Sequence, residues 1–129
     1  MTGKANAHLM RFLAEAVWHP TSLLPSQGVR WEARDETSAR ATLAAEGRTV
    51  SLDFFFGPDG LVERVRSAGR IRTVGGAGIP TPWQVRVWGY ALRDGLRIPL
   101  EGEVAWELPG GLRPYWRGRI TAIVFQRVP

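Results

Sequence analysis

Residues 83–108 read WQVRVWGYALRDGLRIPLEGEVAWEL, two runs of alternating apolar and polar residues around Asp94-Gly95. Asp-Gly is a dipeptide that closes two-residue hairpins, because both central positions take positive φ. A turn of that length sets Arg93 opposite Leu96. Stepping outward brings Ala91 opposite Ile98, Val85 opposite Val104 and Trp83 opposite Trp106. The alternate positions pair Arg86 with Glu103 and Trp88 with Glu101. Apolar pairs collect on one face and a charge pair on the other, as in an antiparallel sheet with one buried side.

The pattern extends on both sides of this hairpin. Strands are predicted over 29–34, 37–45, 48–56, 61–74, 83–93, 97–108 and 117–127, separated by Asp35-Glu36, Glu46-Gly47, Gly57-Pro58-Asp59-Gly60, Asp94-Gly95 and Pro109-Gly110-Gly111. Only 75–82, with three glycines and two prolines, reads as a longer loop. Gly60 admits either a plain turn, which sets Asp53 opposite Arg64, or a left-handed bulge that shifts the partner strand by one position.

Upstream, Leu9, Met10, Phe12, Leu13, Ala16 and Val17 recur at helical spacing and predict one amphipathic helix over 6–18. Pro20 disfavours helical backbone at His19 and ends it. One helix covers only part of the apolar face of such a sheet. The expected fold class is therefore α+β: an N-terminal amphipathic helix packed in a strongly curved, mostly antiparallel sheet of about seven strands. That is an open half-barrel forming a single domain over 1–129.

At 129 residues, with 44% hydrophobic and 22% charged side chains, the composition excludes intrinsic disorder and repeat fibres. The absence of cysteine excludes disulfide frameworks, thiolate catalysis and thiolate metal sites. Arg11 and Glu15 interrupt the apolar residues of 1–18, so neither a signal peptide nor a membrane span is predicted, and a cytoplasmic location is expected. Net charge is +5, and Lys4 is the only lysine. Arginine, alanine and glycine excess follows from GC-rich codons, and acids are interspersed with the bases. No specific nucleic-acid partner is expected.

Six strings together carry a family resemblance: Arg11-Phe12-Leu13-Ala14-Glu15-Ala16, Trp18-His19-Pro20-Thr21, Leu23-Leu24-Pro25-Ser26, Gly28-Val29-Arg30-Trp31, Pro80-Thr81-Pro82-Trp83 and Tyr115-Trp116-Arg117-Gly118. The chain resembles a family of bacterial proteins of unknown function from about Leu9 to Phe125. That resemblance implies no activity and no catalytic residues. It implies that related chains carry a further N-terminal region, so that this one corresponds to the later part of a longer architecture with an edge or apolar face left to self-associate. More distantly, a helix followed by a meander is similar to the half-barrel of outer-membrane lipoprotein carriers, which hold acyl chains in a concave apolar cavity.

Candidate sites are few. Glu15 and His19 have the spacing of two metal ligands, but the chain has only one other histidine, His8, and a charge interaction at the helix end is the better account. Glu101, Glu103 and Glu107 share a strand face, with Arg86, Arg117 and Arg119 placed to make them a solvated ladder. Arg64, Arg66, Arg70 and Arg72 alternate and offer a basic stripe for phosphate or carboxylate, unless they simply blunt an edge-like strand with charge. Trp31, Trp83 and Trp106 are predicted core residues. Trp88, Tyr90, Tyr115 and Trp116 are predicted to line a cavity or interface.

Gly75-Gly76-Ala77-Gly78 lacks the lysine and helix of a phosphate loop. No catalytic residue, metal or cofactor is therefore assigned. The expected role is non-catalytic binding of a small apolar or amphiphilic ligand in a concave sheet, through Trp88, Tyr90, Tyr115, Trp116, Arg64 and Arg66. The alternative is a homodimer formed through an exposed apolar face or sheet edge.

Overall fold

The computed structural model describes residues 2–45 and 47–122, with side chains from Asn6 onward. Helix α1 spans Thr2–Glu15 and is continued by 3-10 turns at Ala16–Trp18, Pro20–Leu23 and Pro25–Gln27. The expected helix over 6–18 thus begins earlier and tightens in its last turn. His19, ahead of Pro20, leaves the helical region at φ −141° and ψ 72°.

Seven strands follow: β1 (Val29–Ala33), β2 (Ser38–Ala45), β3 (Arg48–Phe56), β4 (Val62–Val74), β5 (Ala77–Arg93), β6 (Leu96–Leu108) and β7 (Gly111–Arg119). They form one sheet in the order β1-β2-β3-β4-β5-β6-β7, with every neighbouring pair antiparallel. β1 and β7 are its two edges, so the sheet does not close into a barrel.

The register read from Asp94-Gly95 is the register observed. Trp83 pairs with Trp106, Val85 with Val104, Arg86 with Glu103, Trp88 with Glu101 and Ala91 with Ile98. Asp94 and Gly95 take φ of 52° and 81°, the two positive values this turn requires.

Other expectations change. Residues 75–82 are not a loop: Gly75 and Gly76, both at positive φ, turn the chain so that Val74 pairs with Ala77, and β5 starts there. Two adjacent left-handed positions are what glycine accommodates without strain, so the cluster of glycines is a hairpin rather than a linker. The last strand, expected over 117–127, is Gly111–Arg119, because the turn at Pro109-Gly110 feeds it directly; residues 123–127 lie outside the described residues.

At Gly60 the left-handed alternative holds, and a second irregularity between Phe55 and Phe56 shifts the register further, so Asp53 lies opposite Arg66 rather than Arg64. Asp53 is instead bound by Arg40 from β2, through Nε at 2.8 Å and Nη2 at 3.3 Å. β4 is the fourth of seven strands, so its arginines do not blunt an edge.

Alternation places the core. Ala41 and Leu43 of β2, Val50, Leu52 and Phe54 of β3, Val65 of β4, and Trp83, Val85 and Val87 of β5 meet Leu13, Ala14 and Val17 from the helical segment. α1 packs on β3 and β4, and the following 3-10 turn packs on β6. The apolar stripe of one short helix thus covers the middle of the sheet and leaves the β5 to β7 side less covered.

Candidate functional site

Beside the C-terminal end of α1 lies a cavity of about 490 Å³, inside the range of about 300–1,000 Å³ usual for small-molecule sites. Arg11 and Glu15 of α1 and Trp18 just beyond it line one side. Arg70 of β4, Trp83 and Val85 of β5, Val104 and Trp106 of β6, and Tyr115 and Trp116 of β7 line the rest. Four indoles and a phenol therefore surround a floor of two valines.

Two bulges create this lining. On β4 the register shifts between Ser67 and Arg70, and the extra residue carries Arg70 to the helix-facing side while Arg66 stays on the other. The four arginines of β4 are therefore not one stripe. On β7 a shift between the partners of Val104 and Ala105 sets Trp116 opposite Val104 and Pro114 opposite Ala105, with Tyr115 the extra residue. Consecutive strand residues ordinarily point to opposite faces; the bulge lets Tyr115 and Trp116 line the same cavity.

The aromatic groups hold one another. Trp106 and Tyr115 stack with centroids 5.8 Å apart, and Trp18 meets Trp116 edge-on at 6.5 Å. Trp83 Nε1 donates to the Tyr115 hydroxyl oxygen at 3.0 Å, and Trp18 Nε1 donates to the Pro99 carbonyl at 2.9 Å. The guanidinium of Arg70 lies 4.7 Å from the centroid of the Trp83 ring and 5.8 Å from that of Trp106, a cation–π geometry. Arg11 Nε donates to Glu15 Oε1 at 2.8 Å, and that bond, with the charge of Glu15, raises the Arg11 pKa.

The six residues singled out for binding separate. Tyr115 and Trp116 line this cavity. Arg64, Trp88 and Tyr90 line a second concavity of about 850 Å³, with Arg86, Arg97, Asp59 and Glu63 among its walls. Arg66 lines neither and makes a two-point ion pair with Glu107, at 2.8 and 3.0 Å.

In the second concavity Arg64 lies 4.1 Å from the Phe55 centroid and Arg86 5.6 Å from that of Trp88. Tyr90 donates its hydroxyl to the Val62 carbonyl at 2.8 Å. Burial, with the negative charge of Asp59, pushes the Tyr90 pKa from 10.0 up to about 12. The unfolded chain releases this proton near pH 10 while the native state retains it, so stability falls as pH rises from about 10 to about 12. Tyr90→Phe is expected to remove that part of the alkaline loss in urea titrations. An unchanged pH profile would place Tyr90 in water.

Three further expectations are corrected. Glu103 is not solvated: it is 5% exposed and ion-paired with Arg117 of β7, whose Nε lies 3.0 Å from Glu103 Oε2. Its burial follows from its place on β6, flanked by β5 and β7. Glu15 serves Arg11 within α1, while His19 Nδ1 lies 3.0 Å from Ser22 Oγ. Trp106, expected in the core, is half-buried and lines the cavity, as does buried Trp83.

Trp18 was not singled out as a ligand contact, and Arg70 was read only as one member of a four-arginine stripe that the structure divides. The Ala68-Gly69 pair after Ser67 was the available signal for a bulge that turns Arg70 inward. Among the described residues no cluster of three or more acids or histidines could hold a metal ion, and no helix is long and apolar enough to cross a membrane.

A family model described as a family of unknown function (DUF6920) matches residues 3–125. No curated protein matches, and no solved structure matches. The likeness to lipoprotein carriers therefore finds no match to support it.

Proposed function

The chain belongs to this family of unknown function, and we propose that it binds a small apolar or amphiphilic ligand in the aromatic cavity rather than transforming one. The observation that carries this is the convergence of Trp18, Trp83, Trp106, Tyr115 and Trp116 around about 490 Å³, more ring surface than a sealed core leaves open. In this reading the sheet bends round α1 as an open half-barrel, and the cavity is its concave side. Support comes from the lining, which draws on α1 and on four consecutive strands, β4 to β7. The second concavity suits an apolar ligand less, because arginines and acids interrupt its aromatic groups.

N-phenyl-1-naphthylamine, a neutral fluorophore that brightens in apolar surroundings, tests the proposal. Saturable one-to-one binding is expected, weakened about tenfold or more by Trp106→Ala, the size of effect that a central aromatic anchor produces. Equal affinity in wild type and Trp106→Ala would place the fluorophore elsewhere and sink the proposal.

A homodimer is the second reading. It is favoured by β7, an edge strand on which Leu112, Tyr115 and Trp116 are about half exposed. Apolar groups beside unpaired strand hydrogen bonds invite a second chain. Sedimentation equilibrium decides between the two: a monomer mass at the highest concentrations leaves the cavity to a small ligand.

A further inference from the structure

Resting on the cavity assignment above, we propose that the ligand carries a carboxylate head group, held by Arg70 and Tyr115. Cavities rich in tryptophan and tyrosine can draw in ammonium groups through their ring faces. Here that place is taken, because the Arg70 guanidinium already lies over Trp83 and Trp106. A second cation would meet the first.

The polar groups that remain are donors. Arg70 makes no ion pair among the described residues; its Nε lies 3.4 Å from the Ala7 carbonyl and its Nη1 lies 3.5 Å from Tyr115 Oη. Both are long contacts, and the other guanidinium hydrogens have no protein acceptor among the described residues. The Tyr115 oxygen receives the Trp83 indole N–H at 3.0 Å as well. With its lone pairs so engaged, its own proton is left to donate. The one acid in the lining, Glu15, is held by Arg11.

A ligand must therefore bring acceptors and one negative charge. A carboxylate brings two coplanar oxygens that match the guanidinium fork. An alcohol brings one oxygen and a proton that these groups cannot receive. A phosphate brings a second charge without a second free cation, since Glu15 already neutralises Arg11.

Displacement of bound N-phenyl-1-naphthylamine by decanoate, decanol and decyltrimethylammonium separates the cases on one hydrocarbon chain. Decanoate is expected to bind at least about tenfold more tightly than decanol, with the ammonium compound weakest, the scale of a charge-assisted hydrogen bond in a partly dry site. Arg70→Met should bring decanoate to the level of decanol, each measured against that variant's own fluorophore affinity, and Arg70→Lys should restore part of the preference. Tyr115→Phe should weaken decanoate relative to decanol, by about three- to tenfold.

Equal displacement by decanoate and decanol from wild-type protein would overturn the carboxylate assignment and leave the apolar cavity standing. That comparison needs no variant to fold. Failure of the fluorophore to bind at all would remove the cavity assignment, and this inference with it.

Discussion

Phe54→Ala is expected to lower the free energy of unfolding by about 3–5 kcal/mol, the usual cost of deleting a buried aromatic side chain and leaving a void. Phe54 is fully buried at 0% exposure. It sits on β3 between Ala39 of β2 and Val65 of β4, under the edge of the Trp31 ring at 5.1 Å. α1 packs across the same strand, so the surroundings are pinned from both sides and collapse little.

Its neighbour provides the control. Phe55 points to the opposite face, where the guanidinium groups of Arg64 and Arg34 lie 4.1 and 5.6 Å from its centroid. Phe55→Ala should cost only about 1–2 kcal/mol, because that face stays partly wet and the cation contacts are individually weak. Urea midpoints of the two variants measure the difference. Equal losses would mean that β3 does not present Phe54 to the helix.

Trp83→Ala is expected to act twice. Trp83 is 2% exposed, so its removal should cost about 3–5 kcal/mol, and it takes away the donor that fixes Tyr115 and the ring on which Arg70 rests. Binding of the naphthylamine fluorophore should then fall below detection even where the variant is fully folded.

Trp116→Ala separates the two effects. Trp116 is 48% exposed on an edge strand, and its loss should change stability by less than about 1 kcal/mol. It should still weaken fluorophore binding several-fold, because the ring forms one wall of the cavity. Wild-type binding by Trp116→Ala would restrict the site to the inner wall. Comparable destabilisation by both substitutions would contradict the placement of β7 at the sheet edge.

Much of the architecture could be read before any coordinates because its determinants are local. The Asp94-Gly95 turn fixes the register of β5 against β6 through backbone dihedrals alone, and alternation then assigns Trp83, Val85 and Val104 to one face. Helical spacing from Leu9 to Val17 and the block at Pro20 place the helix and its end within a few residues. The family label was legible for the same reason, since it rests on short strings of adjacent residues.

The site was legible only in part. Tyr115 and Trp116, expected to line a cavity or interface, line the aromatic cavity. Trp88, Tyr90 and Arg64 were grouped with them on chemical character, and the sheet carries those three to a different concavity. The Ala68-Gly69 pair hints at the bulge before Arg70, but the partnership of Arg70 with Trp83 and Trp106 depends on how separate strands pair, which no local pattern encodes.

The sequence by itself determined the helix, the antiparallel order of the strands and the apolar face, since turn chemistry and periodicity act between residues close in the chain. Tertiary structure decided which way a side chain points after each bulge, that Glu103 is buried against Arg117, and that rings from three strands and the helix end surround one space. A one-residue slip in a strand reverses every face beyond it at small local cost, and only the packing of the whole sheet against its helix selects among such slips.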